Sequence, residues 1–97
     1  MKASFSDEAL ADAVQAADWY IEQGAWTAAV ALHVEIAAAL ARLLDDPGLG
    51  TPGPEATRIL PVRRFPVSLV YRVEGEELRV IAVAAQRRRP GHWAGRR

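Results

Sequence analysis

The hydrophobic pattern of the chain changes period once, at residues 47–56, Pro-Gly-Leu-Gly-Thr-Pro-Gly-Pro-Glu-Ala. Before this stretch, apolar residues recur every three or four positions, which is the period of a helix. After it they alternate or run in short blocks rich in Val, Ile and Leu, which is the pattern of strands. Seven of these ten residues are Gly, Pro or Thr, so the stretch itself reads as a loop. A chain with a helical half followed by a strand half buries both apolar faces most simply as two layers, helices on sheet.

The helical half divides in two. Ser6 is a suitable N-cap, because its hydroxyl can accept from an orphan N–H of the first turn, and Asp7 and Glu8 sit where the helix dipole favours acids. Phe5 before the cap and Leu10 inside the helix are spaced for a hydrophobic staple. Leu10, Val14, Ala17 and Ile21 share one helical face, and Gly24 supplies a C-terminal stop. A second helix is expected from near Thr27, a plausible cap, with Ala29, Leu32, Ile36, Leu40 and Leu43 on one face. Asp45-Asp46-Pro47-Gly48 ends it. The short connection predicts an antiparallel αα-hairpin, and the many alanines allow close approach.

In the second half, Val67–Val73 and Leu78–Ala84 read as strands joined by a turn at Glu74-Gly75-Glu76-Glu77. Residues 57–62 form a further expected strand, restricted by Pro61 and Pro66 to an edge or a bend, and residues 1–5 can add another. The expected fold is therefore α+β, an N-terminal αα-hairpin packed on a small, mainly antiparallel three- to four-stranded sheet, as a single domain over residues 1–97. The helices would cover one face of the sheet. The other face is expected to stay open, with Arg64, Arg72, Arg79 and the run Arg87-Arg88-Arg89 available to line it or its edges.

Charge is split between the halves. Residues 1–54 carry two basic residues against eight acidic ones, and residues 55–97 carry ten arginines against four glutamates. Either the acidic helices neutralise the basic sheet, or a basic face awaits an acidic partner, protein or nucleic acid. The absence of cysteine excludes disulfides and thiolate metal sites. No uninterrupted apolar run approaches 18 residues and no signal peptide is visible, so a cytoplasmic protein is expected.

Few side chains carry chemistry. His33 lies mid-helix with no second ligand at a metal spacing, and a structural or surface role is expected. Gly48, Gly50 and Gly53 are not followed by a helix, so they do not form a phosphate loop. No cofactor or metal is therefore expected. The remaining set is Arg87-Arg88-Arg89 with His92 and Trp93. Arginines can stabilise charge on a phosphodiester, a histidine can transfer a proton, and an aromatic ring can stack on a base, so the set is able to cleave RNA without a metal. From residue types alone the favoured reading is a basic, solvated strand end with Trp93 inserted in the core.

Several segments, in order, resemble toxins of the RelE/ParE superfamily of bacterial type II toxin–antitoxin modules. Ser6-Asp7-Glu8-Ala9-Leu10 with Asp12 resembles the opening of the family's first helix, and Tyr20-Ile21 its end. Asp46-Pro47-Gly48-Leu49-Gly50 resembles the loop after helix two, with Asp46 in place of a histidine. Arg64-Phe65-Pro66 running into Val70-Tyr71-Arg72-Val73 resembles the central strand, and Arg87-Arg88-Arg89-Pro90-Gly91-His92-Trp93 the closing segment. The resemblance implies a cognate antitoxin that wraps the toxin with a helix and an added strand. It also implies one of two targets. ParE-like members act on DNA gyrase, and RelE-like members cut mRNA on the ribosome. In the ribonuclease branch Arg87, Arg88 and His92 would be the catalytic candidates, but Ser68 and Ala85 stand where that branch places basic residues. The Pro-Gly-His-Trp ending is closer to the ParE branch, which is the favoured expectation. Arg64, Arg72, Arg79, Arg87, Arg88, Arg89, Trp93 and Arg96 are then candidates for contact with target or antitoxin.

Overall fold

The computed structural model describes all 97 residues. In chain order the elements are β1 Lys2–Phe5, α1 Asp7–Glu22, α2 Trp26–Asp45, β2 Thr51–Pro52, β3 Arg58–Pro61, β4 Val67–Glu74 and β5 Glu77–Ala85. The sheet has five strands in the order β1-β5-β4-β3-β2. β1 runs parallel to β5, and the other three pairings are antiparallel. The expected sheet of three to four strands thus gains β2, two residues inside the Gly/Pro-rich stretch. Its Pro52 is tolerated because β2 is an edge strand.

α1 starts as its sequence requires: the Ser6 hydroxyl accepts the N–H of Ala9 at 3.0 Å. It ends in a Schellman motif. The N–H groups of Gly24 and Ala25 donate to the carbonyls of Ile21 and Tyr20, and Gly24 takes the left-handed backbone this requires, with φ of 76°. The face α1 buries differs from the apolar stripe in its sequence. Ala9, Asp12, Ala13, Ala16 and Ala17 are buried, whereas Leu10 and Val14 are 51% and 55% exposed. Small side chains let the backbone approach the sheet, so the alanine face docks and the larger residues stay outside. α2 begins at Trp26 after Ala25, without a side-chain cap, one residue before the expected Thr27. Its Ala29, Leu32, Ile36, Ala39 and Leu43 are buried, and Leu40 packs partly buried against the same core. α2 is also long and apolar enough to cross a membrane by composition, although Thr27, His33, Glu35 and Arg42 interrupt its apolar run.

The main core lies between helices and sheet, where Leu32, Leu43, Leu69, Tyr71, Leu78 and Val80 have no exposed surface. A smaller cluster of Val70, Ile81, Ala82 and Trp93 lies on the opposite sheet face. It owes its existence to a β-bulge beside Val70/Tyr71, where Val70 pairs with Ala82 and Tyr71 with Val80, leaving Ile81 extra. The bulge lets the consecutive residues Ile81 and Ala82 share one face. The second face is therefore not open in its middle, as the strand pattern suggested: Trp93 closes it.

The loop before β2 is tied to the core by Tyr71. Its hydroxyl accepts the Gly50 N–H at 2.9 Å and donates to the Pro47 carbonyl at 2.7 Å. A side chain at Gly50 would place its Cβ 2.7 Å from that hydroxyl and 3.1 Å from the Ile59 backbone. Tyr71→Phe is expected to lower stability by about 1–3 kcal/mol, because it strands a buried N–H. Gly50→Ala is expected to cost more than Tyr71→Phe. Urea midpoints of the two variants check the size and the order.

Candidate functional site

The C-terminal segment 86–97 crosses the second sheet face and is clasped to α1 chiefly by the carboxylate of Asp12. Asp12 lies on the alanine face of α1 and is 4% exposed. β1 ends opposite Val80, so further along β5 no strand lies on that side. Asp12 takes the strand's place, its Oδ2 accepting the Val83 N–H at 3.1 Å. The Arg96 guanidinium then grips the same carboxylate in a two-pronged pair, Nη1 at 2.6 Å from Oδ2 and Nη2 at 3.3 Å from Oδ1. Arg96 Nη1 also donates to the Ile81 carbonyl at 3.1 Å, and Nε lies 3.5 Å from Glu8. Bidentate arginine–carboxylate geometry combines strength with a fixed orientation.

Two candidates of the arginine-rich run join this cluster. Arg88 Nη1 lies 3.6 Å from Asp12 and donates to Gln15 Oε1 at 2.7 Å. His92 Nε2 lies 3.7 Å from Asp12 Oδ2, buried and without a hydrogen-bond partner. The two remaining arginines point away. Arg87 is exposed and stacks over Trp19, its guanidinium carbon 4.9 Å from the ring centroid. Arg89 is exposed and takes part in none of the ion pairs. Beneath this loop is a cleft of about 290 Å³ whose lining includes Ile59, Ser68, Val70, Ala84 and Arg89.

The other candidates are dispersed. Arg64 is exposed on the β3–β4 connection, 3.4 Å from Glu35 of α2. Arg72 and Arg79 face each other across β4 and β5 at the far end of the sheet from the run. Trp93 is buried against the sheet, so its ring serves as an anchor in this conformation and does not offer a contact surface. Ala85 is buried in the core that faces the helices, whereas its neighbour Ala84 pairs with Ser68 on the other face. His33 is exposed on α2. No three of the His, Asp and Glu residues converge to hold a metal. Asp12 itself escaped sequence-based selection as a site residue, although an acid within the alanine stripe Ala9-Ala13-Ala16 was the available signal.

The family model describing the ParE toxin of the type II toxin–antitoxin system parDE matches residues 3–90. The chain belongs to the ParE toxin family. The same fold occurs in a solved structure described as a chromosomal ParDE TA system from P. aeruginosa, with a TM-score of 0.76 and 23% identity. That likeness covers 88% of this ParE-family toxin and 95% of the solved chain. No match is found among curated proteins. The family match ends at Pro90, so most of the Asp12 clasp falls inside it, while His92, Trp93 and Arg96 fall outside.

Removing the Asp12 carboxylate would strand Arg96 against α1 and leave the Val83 N–H unpaired. Asp12→Ala is expected to cost about 3–5 kcal/mol, the usual penalty for breaking a buried ion pair from one side. Arg89→Ala is expected to change stability by no more than about 0.5 kcal/mol. Denaturant unfolding followed by tryptophan fluorescence measures both.

Proposed function

We propose that this ParE-family protein is a growth-inhibiting toxin that acts by docking on DNA gyrase in the cytoplasm, and that a cognate antitoxin neutralises it. The observation carrying this reading is the direction of the arginine run. A general acid has to reach the atom it protonates. His92 is instead buried beside Asp12, and Arg88 is engaged by Gln15 and Asp12. Arg87 and Arg89 remain exposed, where they can meet acidic groups of a protein target. Ser68, in the position that a RelE-like ribonuclease fills with a basic residue, leaves the cleft without a phosphate clamp on the central strand.

The helical hairpin supports an antitoxin partner. Trp26, Val30 and Val34 follow at four-residue spacing on α2 and are 66%, 61% and 62% exposed. An amphipathic helix recognises such a stripe through apolar anchors at the same spacing. The acidic side chains of the hairpin, among them Asp7, Glu8, Asp18 and Glu22, suit a segment bearing basic residues.

Ribosome-dependent mRNA cleavage is the alternative, favoured by the cleft that Arg88, Arg89 and His92 share. It requires His92 to leave Asp12. Expression of the toxin alone separates the two. An early stop in DNA synthesis with an SOS response is expected. An early stop in translation, with mRNA cut at ribosome-bound codons, would overturn the gyrase reading. The joint substitution Arg87→Ala and Arg89→Ala is expected to abolish growth inhibition, whereas His92→Gln is expected to retain it.

A further inference from the structure

At the end of the second sheet face remote from the arginine run lies a cleft of about 630 Å³, lined by Glu55, Arg72, Glu74, Arg79, Arg96 and Arg97 together with Gly95. No apolar side chain lines it. Four residues along β4 separate Arg72 from Ser68, or roughly 13 Å at the rise of an extended strand, so this cleft is distinct from the one beneath Arg89.

Arg72 and Arg79 are directly opposed across the antiparallel pair β4–β5. Like charges in that relation repel. The fold nevertheless spends structure on fixing them. Arg72 Nε donates to the Glu55 carbonyl at 2.9 Å, Nη1 donates to the Arg96 carbonyl at 2.9 Å, and Nη2 lies 3.5 Å from the Glu55 carboxylate. Glu55 reaches that position from a left-handed backbone, φ 59°, and its neighbour Ala56 has the same φ, a conformation that costs energy for residues other than glycine. Arg79 is treated differently. Its Nη1 donates to the Ser4 hydroxyl at 3.2 Å, and no carboxylate is among its partners. Its Nε and Nη2 make no hydrogen bond within the chain. Arg79 is thus half-buried, oriented and unneutralised, beside a second arginine already pinned in place.

We infer that this cleft is a carboxylate-binding site that receives an acidic side chain from a partner protein, with Arg79 as the principal contact and Arg72 and Arg97 beside it. A planar guanidinium with two unused donors matches a carboxylate in a two-pronged pair. The wall chemistry favours an isolated acidic side chain over a nucleic-acid backbone. Glu55 and Glu74 stand in the cleft and would repel a continuous polyanion, and no aromatic ring is present to stack a base. The inference holds whether the target is gyrase or the ribosome, because its contacts are Arg79, Arg72 and Arg97 and not the Arg87–His92 segment on which those two readings differ.

The test is an NMR titration of the arginine Nε–Hε resonances of the whole chain. The probe is a capped hexapeptide carrying a single Glu among Gly and Ser residues, with its Gln counterpart as a neutral control at constant ionic strength. The expected result is saturable movement of the Arg79 and Arg72 resonances at lower peptide concentration than any movement of Arg87 and Arg89. Arg79→Gln should weaken binding about tenfold or more, the usual worth of a hydrogen-bonded ion pair. Arg79→Lys, which keeps the charge and loses the fork, should fall between the two. Retained strand resonances in Arg79→Gln would confirm that the fold survives. Equal movement of all exposed arginines, or undiminished binding by Arg79→Gln, would overturn the assignment. So would tighter binding of inorganic phosphate than of the acidic peptide, which would make this a phosphate site. Growth inhibition plays no part in the readout, so failure here and failure of the gyrase reading are separate results.

Discussion

The carboxylate of Asp12 holds the two ends of this molecule together. It caps the strand edge that β1 is too short to cover, and through Arg96 it fixes the C-terminal segment over the second sheet face. A buried charge is costly unless its lone pairs are filled, and here a backbone N–H and a bidentate guanidinium fill them. Trp93 can then rest on Val70, Ile81 and Ala82. The clasp therefore determines which of the arginines are structural and which are left for encounters with other molecules.

The division of charge along the chain resolves into both of its possible meanings. Arginines of the second half meet acids of the first at Arg64–Glu35, Arg88–Asp12, Arg96–Glu8 and Arg96–Asp12. That is internal neutralisation across the two layers. Arg79, Arg87 and Arg89 have no acidic partner within the chain, and they lie at two well-separated places. These three arginines thus belong to two small sites with different surroundings, one exposed on a loop and one recessed between strands.

Much of the architecture was legible because local chemistry and global packing agree. Ser6, Gly24 and the Asp45–Gly48 stop placed the helix ends, and the alternation in residues 67–84 placed the central hairpin. Three features escaped for physical reasons. The docking face of α1 was misjudged because alanine carries little hydrophobic signal, yet its size is what allows contact with the sheet. β2 was hidden because two residues in a Gly/Pro-rich stretch have no period. The covered second face depends on the Ile81 bulge, which puts two consecutive apolar residues on one side, against the alternation from which a strand is read. In the candidate site, the arginines were visible by type, but their allegiance was set by Asp12, 84 residues from Arg96 along the chain.

The parallel pairing of β1 with β5 gives the fold an order of assembly. The β4–β5 hairpin closes a turn of a few residues, whereas Ser4 and Arg79, neighbours across the β1–β5 pair, are 75 residues apart. Loop closure over such a span carries a larger entropic cost, and contacts of this kind slow folding. The Asp12 clasp on Arg96 and the Ser4 contact to Arg79 both belong to that long-range class. A newly made chain can thus hold its central hairpin and its helices before it presents either basic site, and this interval is one in which a partner meets a sheet whose first edge strand is still missing.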